Sequence, residues 1–205
     1  MSEWSTYTLA DLLMFSARTY WRLLQLYNLA VWPLQLATLA LALAIGWCAR
    51  RGDGRAAAAL LGLAWLWVAW AYQAQRYATI NTAAPWFAAA FALQGMLLAG
   101  AGRLSLQPGG AGLAAIGTVS VGWPLLGPLS GRPWTQAEVF GIAPDPTVAL
   151  TLVLLAFAPR GHALLWPVPL LWCAVSGATL WTLHAPDAWL LPGLALVALL
   201  VRWRG

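Results

Sequence analysis

The chain alternates between long apolar runs and short polar segments. Seven apolar runs can be delimited, at residues 29–48, 56–75, 84–102, 111–126, 147–158, 163–182 and 188–201. A helix that crosses a bilayer needs roughly 20 consecutive apolar residues, and several of these runs approach that length. The pattern predicts an all-α fold, a polytopic transmembrane helical bundle of about seven spans. The fifth run is short, so its span is expected to begin earlier, to be broken or to stop short of crossing.

Residues 1–28 follow a different pattern. Leucine and aromatic side chains are interspersed there with Asp11, Arg18 and Arg22. A charged group at the bilayer centre costs roughly 3 kcal/mol, so this segment is not expected to span. It favours an amphipathic helix lying in the interface, with its aromatic residues at headgroup level. We therefore predict an interfacial segment, 1–28, and a single transmembrane bundle, 29–205.

The composition is that of a lipid-embedded protein. Of the 205 residues, 61% are apolar and 8% are charged, against about 25% charged in soluble domains; the mean hydropathy is +0.71. The basic residues are 11 arginines spread between the apolar runs, whereas a nucleic-acid site would cluster them on one face. The predicted partner is thus the lipid bilayer and not nucleic acid. Because Glu3 and Asp11 precede the first arginine, Arg18, no cleavable signal peptide is expected.

The arginines are distributed unequally over the loops. If the loops alternate between the two faces, one face carries seven arginines: Arg50, Arg51, Arg55, Arg103, Arg160, Arg202 and Arg204. The other face carries four arginines, Arg18, Arg22, Arg76 and Arg132. It also carries five of the six acidic residues. The positive-inside rule places the face with seven arginines in the cytoplasm. The N-terminus is therefore predicted to lie outside and the C-terminus inside.

Two turns of the predicted bundle have similar sequences. ATINTAAPW at 78–86 and ATLWTLHAPDAW at 178–189 each join a span that leaves the cytoplasm to one that returns. Spans one to three and five to seven would then be parallel repeats linked by span four, a 3+1+3 arrangement of the kind that some small transporters use. The alternative is coincidence in a chain rich in Ala, Leu and Trp.

Polar residues with binding chemistry collect on the predicted external face. The candidate ligand-binding set comprises Arg76, Asn81, Trp134, Gln136, Glu138 and His184. Carboxylate, amide, imidazole and guanidinium groups at one depth suit a polar solute or a hard cation. Asp145 and Asp187 stand directly before apolar runs, where carboxylates commonly cap helix N-termini, and we interpret both as caps.

The longest polar connection, residues 132–146, is expected to fold against the bundle. Its three prolines restrict the backbone. We predict that Trp134 and Phe140 are buried and that Glu138 points inward to a polar partner, with Arg76 as the first candidate. A ligand role for Glu138 and a structural salt bridge to Arg76 both stay open.

Enzyme signatures are missing from the sequence. It contains no HExxH, no GxSxG and no Gly-rich phosphate loop. His162 and His184 fall on opposite faces in the predicted topology, so no catalytic residue, metal site or cofactor is expected. Cys48 and Cys173 lie in or at the end of apolar runs and are expected to be buried free thiols. No charged residue lies at mid-span, which argues against an ion-coupled pump.

Four stretches carry a resemblance to a known family. They are LADLLMFSARTY (9–20), QRYATINTAAPW (75–86), GRPWTQAEVFGIAPDPT (131–147) and LWCAVSGATLW (171–181). Together they resemble DUF6064, an uncharacterised family of bacterial integral membrane proteins. The resemblance implies a multi-pass protein of the bacterial cytoplasmic (inner) membrane. It brings no established activity and no catalytic residue.

Three functions compete at this point. The first is a small-solute transporter or carrier with a polar vestibule on its external face. The second is a non-catalytic integral subunit or assembly partner of a larger membrane complex, packed against other membrane subunits or against copies of itself. An external-face enzyme using Glu138 and His184 comes last. Solute flux in proteoliposomes favours the carrier, and co-purification with partners favours the subunit.

Overall fold

The computed structural model describes residues 13–101, 103–106, 110–159 and 161–204. Over these ranges the chain is all-helical and without strands, as the apolar runs predict. The α-helices in them are α1 (Ala17–Ala30), α2 (Leu34–Arg50), α3 (Gly54–Trp67), α4 (Ala84–Ala101), α5 (Ala111–Leu129), α6 (Pro144–Phe157), α7 (Pro167–Thr182) and α8 (Leu190–Arg204). α3 continues without a break into a π-helix, Val68–Ala74.

Helices α2 to α8 coincide with the seven predicted apolar runs, but fewer helices are long and apolar enough to cross a membrane. Within the described ranges there are three: Gly54–Thr79, Ala111–Leu129 and Ala163–Thr182. The pair formed by α1 and α2, bent by 87°, would be a fourth if it is one broken span. The number is below the predicted seven because α2, α6 and α8, with 17, 14 and 15 residues, are shorter than the roughly 20 residues that a span needs. The turn at residues 31–33, for example, removes the start of the first run from α2.

α6 lies at the centre of the bundle. Its 14 residues extend about 21 Å at 1.5 Å per residue, which is less than the roughly 30 Å of a hydrocarbon core. All residues from Pro144 to Ala156 are buried, and α3, α5, α7 and α8 pack around them. The predicted fifth span thus begins earlier than residue 147, and protein rather than lipid surrounds it.

α1 is an amphipathic helix set at a wide angle to α2. The hydroxyl of Ser16 caps its N-terminus by accepting a hydrogen bond from the Thr19 N–H at 3.3 Å. Tyr20, Leu24 and Tyr27 form its buried face, while its arginines are exposed. The helix therefore has the two-sided character predicted for 1–28, although residues 1–12 lie outside the described ranges. Its position in a membrane interface stays a prediction.

Two glycines allow α3 and α4 to approach closely. A Cβ atom on Gly62 would lie 2.6 Å from the carbonyl oxygen of Gly95, and one on Gly95 would lie 2.9 Å from that of Gly62. Small residues at a helix crossing let the backbones pack directly, which is the common device in membrane bundles. The α3–α4 contact therefore depends on the absence of side chains at these positions.

Replacing Gly62 by alanine should separate α3 from α4. Overpacking of this kind costs about 1–3 kcal/mol, because the methyl group meets backbone that cannot move alone. Thermal unfolding of the purified protein measures the effect. Gly100→Ala is the matched control, since a Cβ on Gly100 of α4 meets nothing within 4 Å. Equal unfolding temperatures for the two variants would contradict the close packing.

Candidate functional site

The connection between α5 and α6 folds back onto the bundle. The Asn28 side chain of α1 donates hydrogen bonds from Nδ2 to the carbonyl oxygens of Thr135 at 2.9 Å and Ala137 at 2.8 Å. These bonds hold the outer part of the connection, and residues 137–143 are all buried. Phe140 is fully buried as predicted. The predicted burial of Trp134 is wrong: it lies in a short 3-10 turn on the outer side and is 64% exposed.

Glu138 points inward, as predicted, but its partner is different. Its side chain is 8% exposed, and its Oε2 accepts a hydrogen bond from the indole Nε1 of Trp123, on α5, at 3.3 Å. Arg76 is exposed and forms no ion pair with Glu138 among the described residues. The predicted Glu138–Arg76 salt bridge is therefore wrong, because Arg76 points to the surface while Glu138 turns under the connection.

Arg132 and Asp187 form an ion pair through Nη2 and Oδ2, with their side chains 12% and 10% exposed. The pair joins the start of the connection to the turn between α7 and α8. The Arg132 guanidinium also lies 3.8 Å from the ring centroid of Trp21, on α1, in a cation–π contact. Arg132 thus joins three parts of the fold, and Asp187, predicted to cap a helix, is its ion-pair partner.

Asp145 lies in the first turn of α6, where the helix dipole favours a carboxylate. It is 1% exposed. Its Oδ1 accepts from Trp172 Nε1 at 2.7 Å and its Oδ2 from Ser176 Oγ at 2.6 Å. Both donors are on α7, so the side chain ties α6 to α7. The predicted capping hydrogen bonds are wrong, because the carboxylate accepts from side chains of α7 and not from the backbone N–H groups of α6.

The surroundings of Glu138 favour its protonated form. Burial is the main cause, and the nearby carboxylates of Asp145 and Asp187 add to it, while Arg132 and the Trp123 hydrogen bond oppose it. The net effect raises the pKa of Glu138 from 4.5 to about 8. A carboxyl group that is neutral near pH 7 can both donate and accept hydrogen bonds.

Several polar atoms around Glu138 are enclosed but unused. Within the described part of the chain, Glu138 Oε1, Asp187 Oδ1 and the Nε and Nη1 atoms of Arg132 have no hydrogen-bond partner. An unsatisfied buried polar group costs about 1–3 kcal/mol. Two acceptors and two donors therefore remain free in one region. We call Arg132, Glu138 and Asp187 the acid–arginine cluster.

An open depression of about 700 Å³ extends to Trp21, the residue against which Arg132 stacks. The described residues that line it are Arg18, Thr19, Trp21, Arg22, Gln25 and Gln136. Trp21 connects the two regions, because its ring is also the one that Arg132 stacks against. We call this depression the vestibule.

The six predicted ligand residues do not share one pocket in the described part of the chain. Gln136 lines the vestibule, Trp134 lines a largely apolar depression of about 310 Å³ beside Asn28 and Gln35, and Arg76 lines a third depression described below. Glu138 alone belongs to the acid–arginine cluster. Arg132, another member of the cluster, was used only to assign the orientation in the membrane from the sequence. Asp187, the third member, was interpreted as a helix cap.

Asn81 and His184 have local structural roles. Asn81 Oδ1 accepts from the Ala83 N–H at 2.9 Å, just before α4. His184 is exposed and has a φ of +55°. Its N–H donates to Trp181 O at 3.0 Å and the next N–H, of Ala185, donates to Leu180 O at 2.9 Å. This is the left-handed ending of a helix that glycine usually provides, so His184 terminates α7.

Comparison with known proteins gives one match. The model of a family of unknown function, DUF6064, matches residues 17–204. The chain belongs to the DUF6064 family. The matched residues include the whole acid–arginine cluster. They also include three of the four stretches that carried the resemblance in full, and the last four residues (17–20) of the remaining stretch. No curated protein and no solved structure matches this DUF6064 chain. In the described residues of this family member, no group of three or more His, Cys, Asp or Glu side chains could hold a metal ion.

The stability of this DUF6064 protein should fall as the pH rises towards 8. Glu138 has a pKa of 4.5 unfolded and about 8 folded. Its contribution to the free energy of unfolding is therefore fully present below pH 4.5 and is lost as the pH rises through 8. The loss amounts to about 1 kcal/mol per pH unit at most in that window. In the variant Glu138→Gln, the side chain can still accept the Trp123 hydrogen bond but cannot ionise. The stability of this variant should therefore vary less with pH than that of the native protein.

Unfolding temperatures measured between pH 5 and pH 9 test this expectation. At pH 5 the unfolding temperatures of Glu138→Gln and the native protein should be similar. At pH 9 the variant should unfold at a temperature several degrees higher. Asp53→Asn is the matched control, because Asp53 is exposed and asparagine also caps helices well. Parallel curves for the native protein and Glu138→Gln would show that Glu138 titrates normally.

Proposed function

We propose that this protein is a small-solute carrier whose binding site is the acid–arginine cluster, and that its solute is a small zwitterion of the amino-acid type. The observation that carries the proposal is the set of enclosed, unused donors and acceptors on Arg132, Glu138 and Asp187. A ligand with complementary groups would satisfy them. Binding pockets characteristically place a few such polar groups in a mainly apolar surrounding.

The chemistry of the cluster fits two opposite charges on one solute. The free Nε and Nη1 of Arg132 are donors of the kind that bind carboxylates in charge-assisted hydrogen bonds. The free oxygens of Glu138 and Asp187 can accept from an ammonium group. The Arg132–Asp187 ion pair is neutral overall, and Glu138 is mostly uncharged at pH 7. A zwitterion of zero net charge therefore suits the cluster better than a free ion.

The vestibule supplies a route to the cluster. Arg18 and Arg22 give its lining a positive charge, which raises the local concentration of solutes that carry a carboxylate. Trp21 lines the vestibule, and Arg132 stacks against its ring. We expect a shift of this stacked pair to open the cluster to the vestibule.

We further propose that the carrier is a multi-pass protein of the bacterial inner membrane, with about seven spans, N-terminus outside and C-terminus inside. Large apolar side chains on the outer faces of the helices support a lipid surrounding, among them Leu63, Trp70 and Leu196, each more than half exposed. α6 is shielded by its neighbours, so its short length would not bring its ends into contact with lipid. The vestibule then faces outward.

Reporter fusions test the orientation. An enzyme that is active only in the cytoplasm should be active when fused after residue 205 or within residues 50–55. It should be silent within residues 132–138, because the positive-inside rule puts that connection outside. Activity of the fusion within 132–138 would reverse the orientation and place the vestibule in the cytoplasm.

Uptake by proteoliposomes tests the carrier function. Vesicles containing the purified protein should accumulate at least one labelled amino acid faster than empty vesicles. Arg132→Gln should reduce the initial rate at least about tenfold, the loss expected when a charge-assisted hydrogen bond is removed. Glu138→Gln should do the same at pH 9, where Glu138 is ionised. Asp53→Asn should retain the native rate. Absence of uptake, together with co-purification of a stoichiometric membrane partner, would favour the subunit function instead.

A further inference from the structure

Two depressions outside the acid–arginine cluster lie next to each other, and the first shares Thr19 and Arg22 with the vestibule. The first, of about 280 Å³, is lined by Thr19, Arg22, Leu23, Leu26, Tyr27, Gln75, Arg76, Thr79 and Ile80. Its described lining contains two arginines and no carboxylate. Both arginines are exposed, so their guanidinium groups can reorient towards a ligand. We call it the arginine pocket.

The second depression is an apolar groove of about 510 Å³ between α2 and α3. Leu34, Thr38 and Leu41 of α2 form one wall, Leu63, Leu66, Trp67 and Trp70 form the other, and Gly141 lies between them. Its volume is within the roughly 300–1,000 Å³ that ligand pockets have. We call it the α2–α3 groove.

Tyr27 and Trp67 join the two depressions. Tyr27 lines the arginine pocket, and its hydroxyl group lies close to the Trp67 indole. Trp67 lines the α2–α3 groove. Tyr27 is 1% exposed, yet neither its hydroxyl nor Trp67 Nε1 has a hydrogen-bond partner of normal geometry in the described residues. Two enclosed polar atoms are thus free where the pocket meets the groove.

We propose that the arginine pocket and the α2–α3 groove together bind one anionic phospholipid. Its phosphate would lie between Arg22 and Arg76 and accept from the Tyr27 hydroxyl, and one acyl chain would lie in the groove. Arginine is the preferred partner of phosphate because its planar donors match the phosphate oxygens. The order of the features, from a basic pocket through free donors to an apolar groove, follows the order of groups in a phospholipid.

Lipid-binding measurements on the delipidated, full-length protein test the site. The probes are dioleoyl phosphatidylglycerol, dioleoyl phosphatidylcholine and inorganic phosphate, with affinities read by native mass spectrometry and by the shift in unfolding temperature. The native protein should bind phosphatidylglycerol at least about tenfold more tightly than phosphatidylcholine, since basic residues attract anionic lipids. This comparison needs no variant.

Variants then locate the site. The double substitution Arg22→Gln with Arg76→Gln should abolish most of the preference for phosphatidylglycerol. The matched control is Arg50→Gln with Arg51→Gln, which removes two exposed arginines elsewhere and should leave the preference intact. Equal affinities for the two lipids, or equal losses in both double variants, would overturn the proposal. Binding of inorganic phosphate as tight as that of phosphatidylglycerol would show an anion site without a chain in the groove, and would also overturn it.

Discussion

Asp145→Ala is expected to destabilise the protein by about 3–5 kcal/mol, one of the largest effects that a single substitution outside the apolar core should have. The carboxylate accepts hydrogen bonds from Trp172 and Ser176 at a completely buried position. Alanine would leave both donors without an acceptor, and water cannot reach them without opening the contact between α6 and α7. Because α6 lies at the centre, loosening it should affect the whole bundle.

Asp145→Asn is the control that separates hydrogen bonding from charge. The asparagine carbonyl oxygen can accept from Trp172, and its amide can donate to the Ser176 hydroxyl. We expect this variant to retain most of the stability that alanine loses. Unfolding in detergent, followed by tryptophan fluorescence, measures both. If Asp145→Ala unfolds at the native temperature, Asp145 does not hold α6 against α7.

Arg132→Ala is expected to cost about 3–5 kcal/mol, as removal of one member of a buried ion pair usually does. The substitution leaves Asp187 charged, enclosed and unpaired, and removes the contact with Trp21. Asp187→Ala should cost about as much for the same reason. Both substitutions would detach the start of the 132–146 connection from the α7–α8 turn.

The double variant Arg132→Ala with Asp187→Ala distinguishes an ion pair from two independent contacts. Once both charges are gone, no unpaired charge is buried, so the double variant should be clearly more stable than the sum of the single effects implies. Unfolding free energies of the four proteins form the cycle. Additive costs would show that the two side chains do not interact.

The helices were predictable because each apolar run is a local property of the chain. α2 to α8 fall on the seven runs, and the amphipathic pattern that precedes the first run reappears in α1. Family membership was predictable as well, since four local stretches carried it. Glu138 was singled out because, unlike Asp145 and Asp187, it does not stand directly before an apolar run and so has no evident capping role. Its burial follows from the tight folding of the connection.

Partners distant in sequence were not predictable. Arg132 and Asp187 are 55 positions apart, and no local pattern shows that two turns of the bundle meet. Trp123 resembles an ordinary interfacial tryptophan, so nothing in the sequence links it to Glu138. Asp145 looks like a cap because it starts a helix, and only the packing of α7 reveals its true donors. The number of helices long enough to cross a membrane was not predictable from the apolar runs, because α2, α6 and α8 have 17, 14 and 15 residues, fewer than the roughly 20 of a span.

Equilibrium binding of labelled amino acids to the purified protein tests the proposed site most directly. At least one small amino acid should bind the native protein, and binding should strengthen as the pH rises from 6 towards 8, because an ionised Glu138 holds an ammonium group better than a neutral one. At pH 9, where Glu138 is ionised, Glu138→Gln should weaken binding at least about tenfold. The variant should also abolish the pH dependence, while Asp53→Asn should change neither. If none of the twenty common amino acids binds, or if Glu138→Gln binds with native affinity and the same pH profile, the acid–arginine cluster is not the solute site.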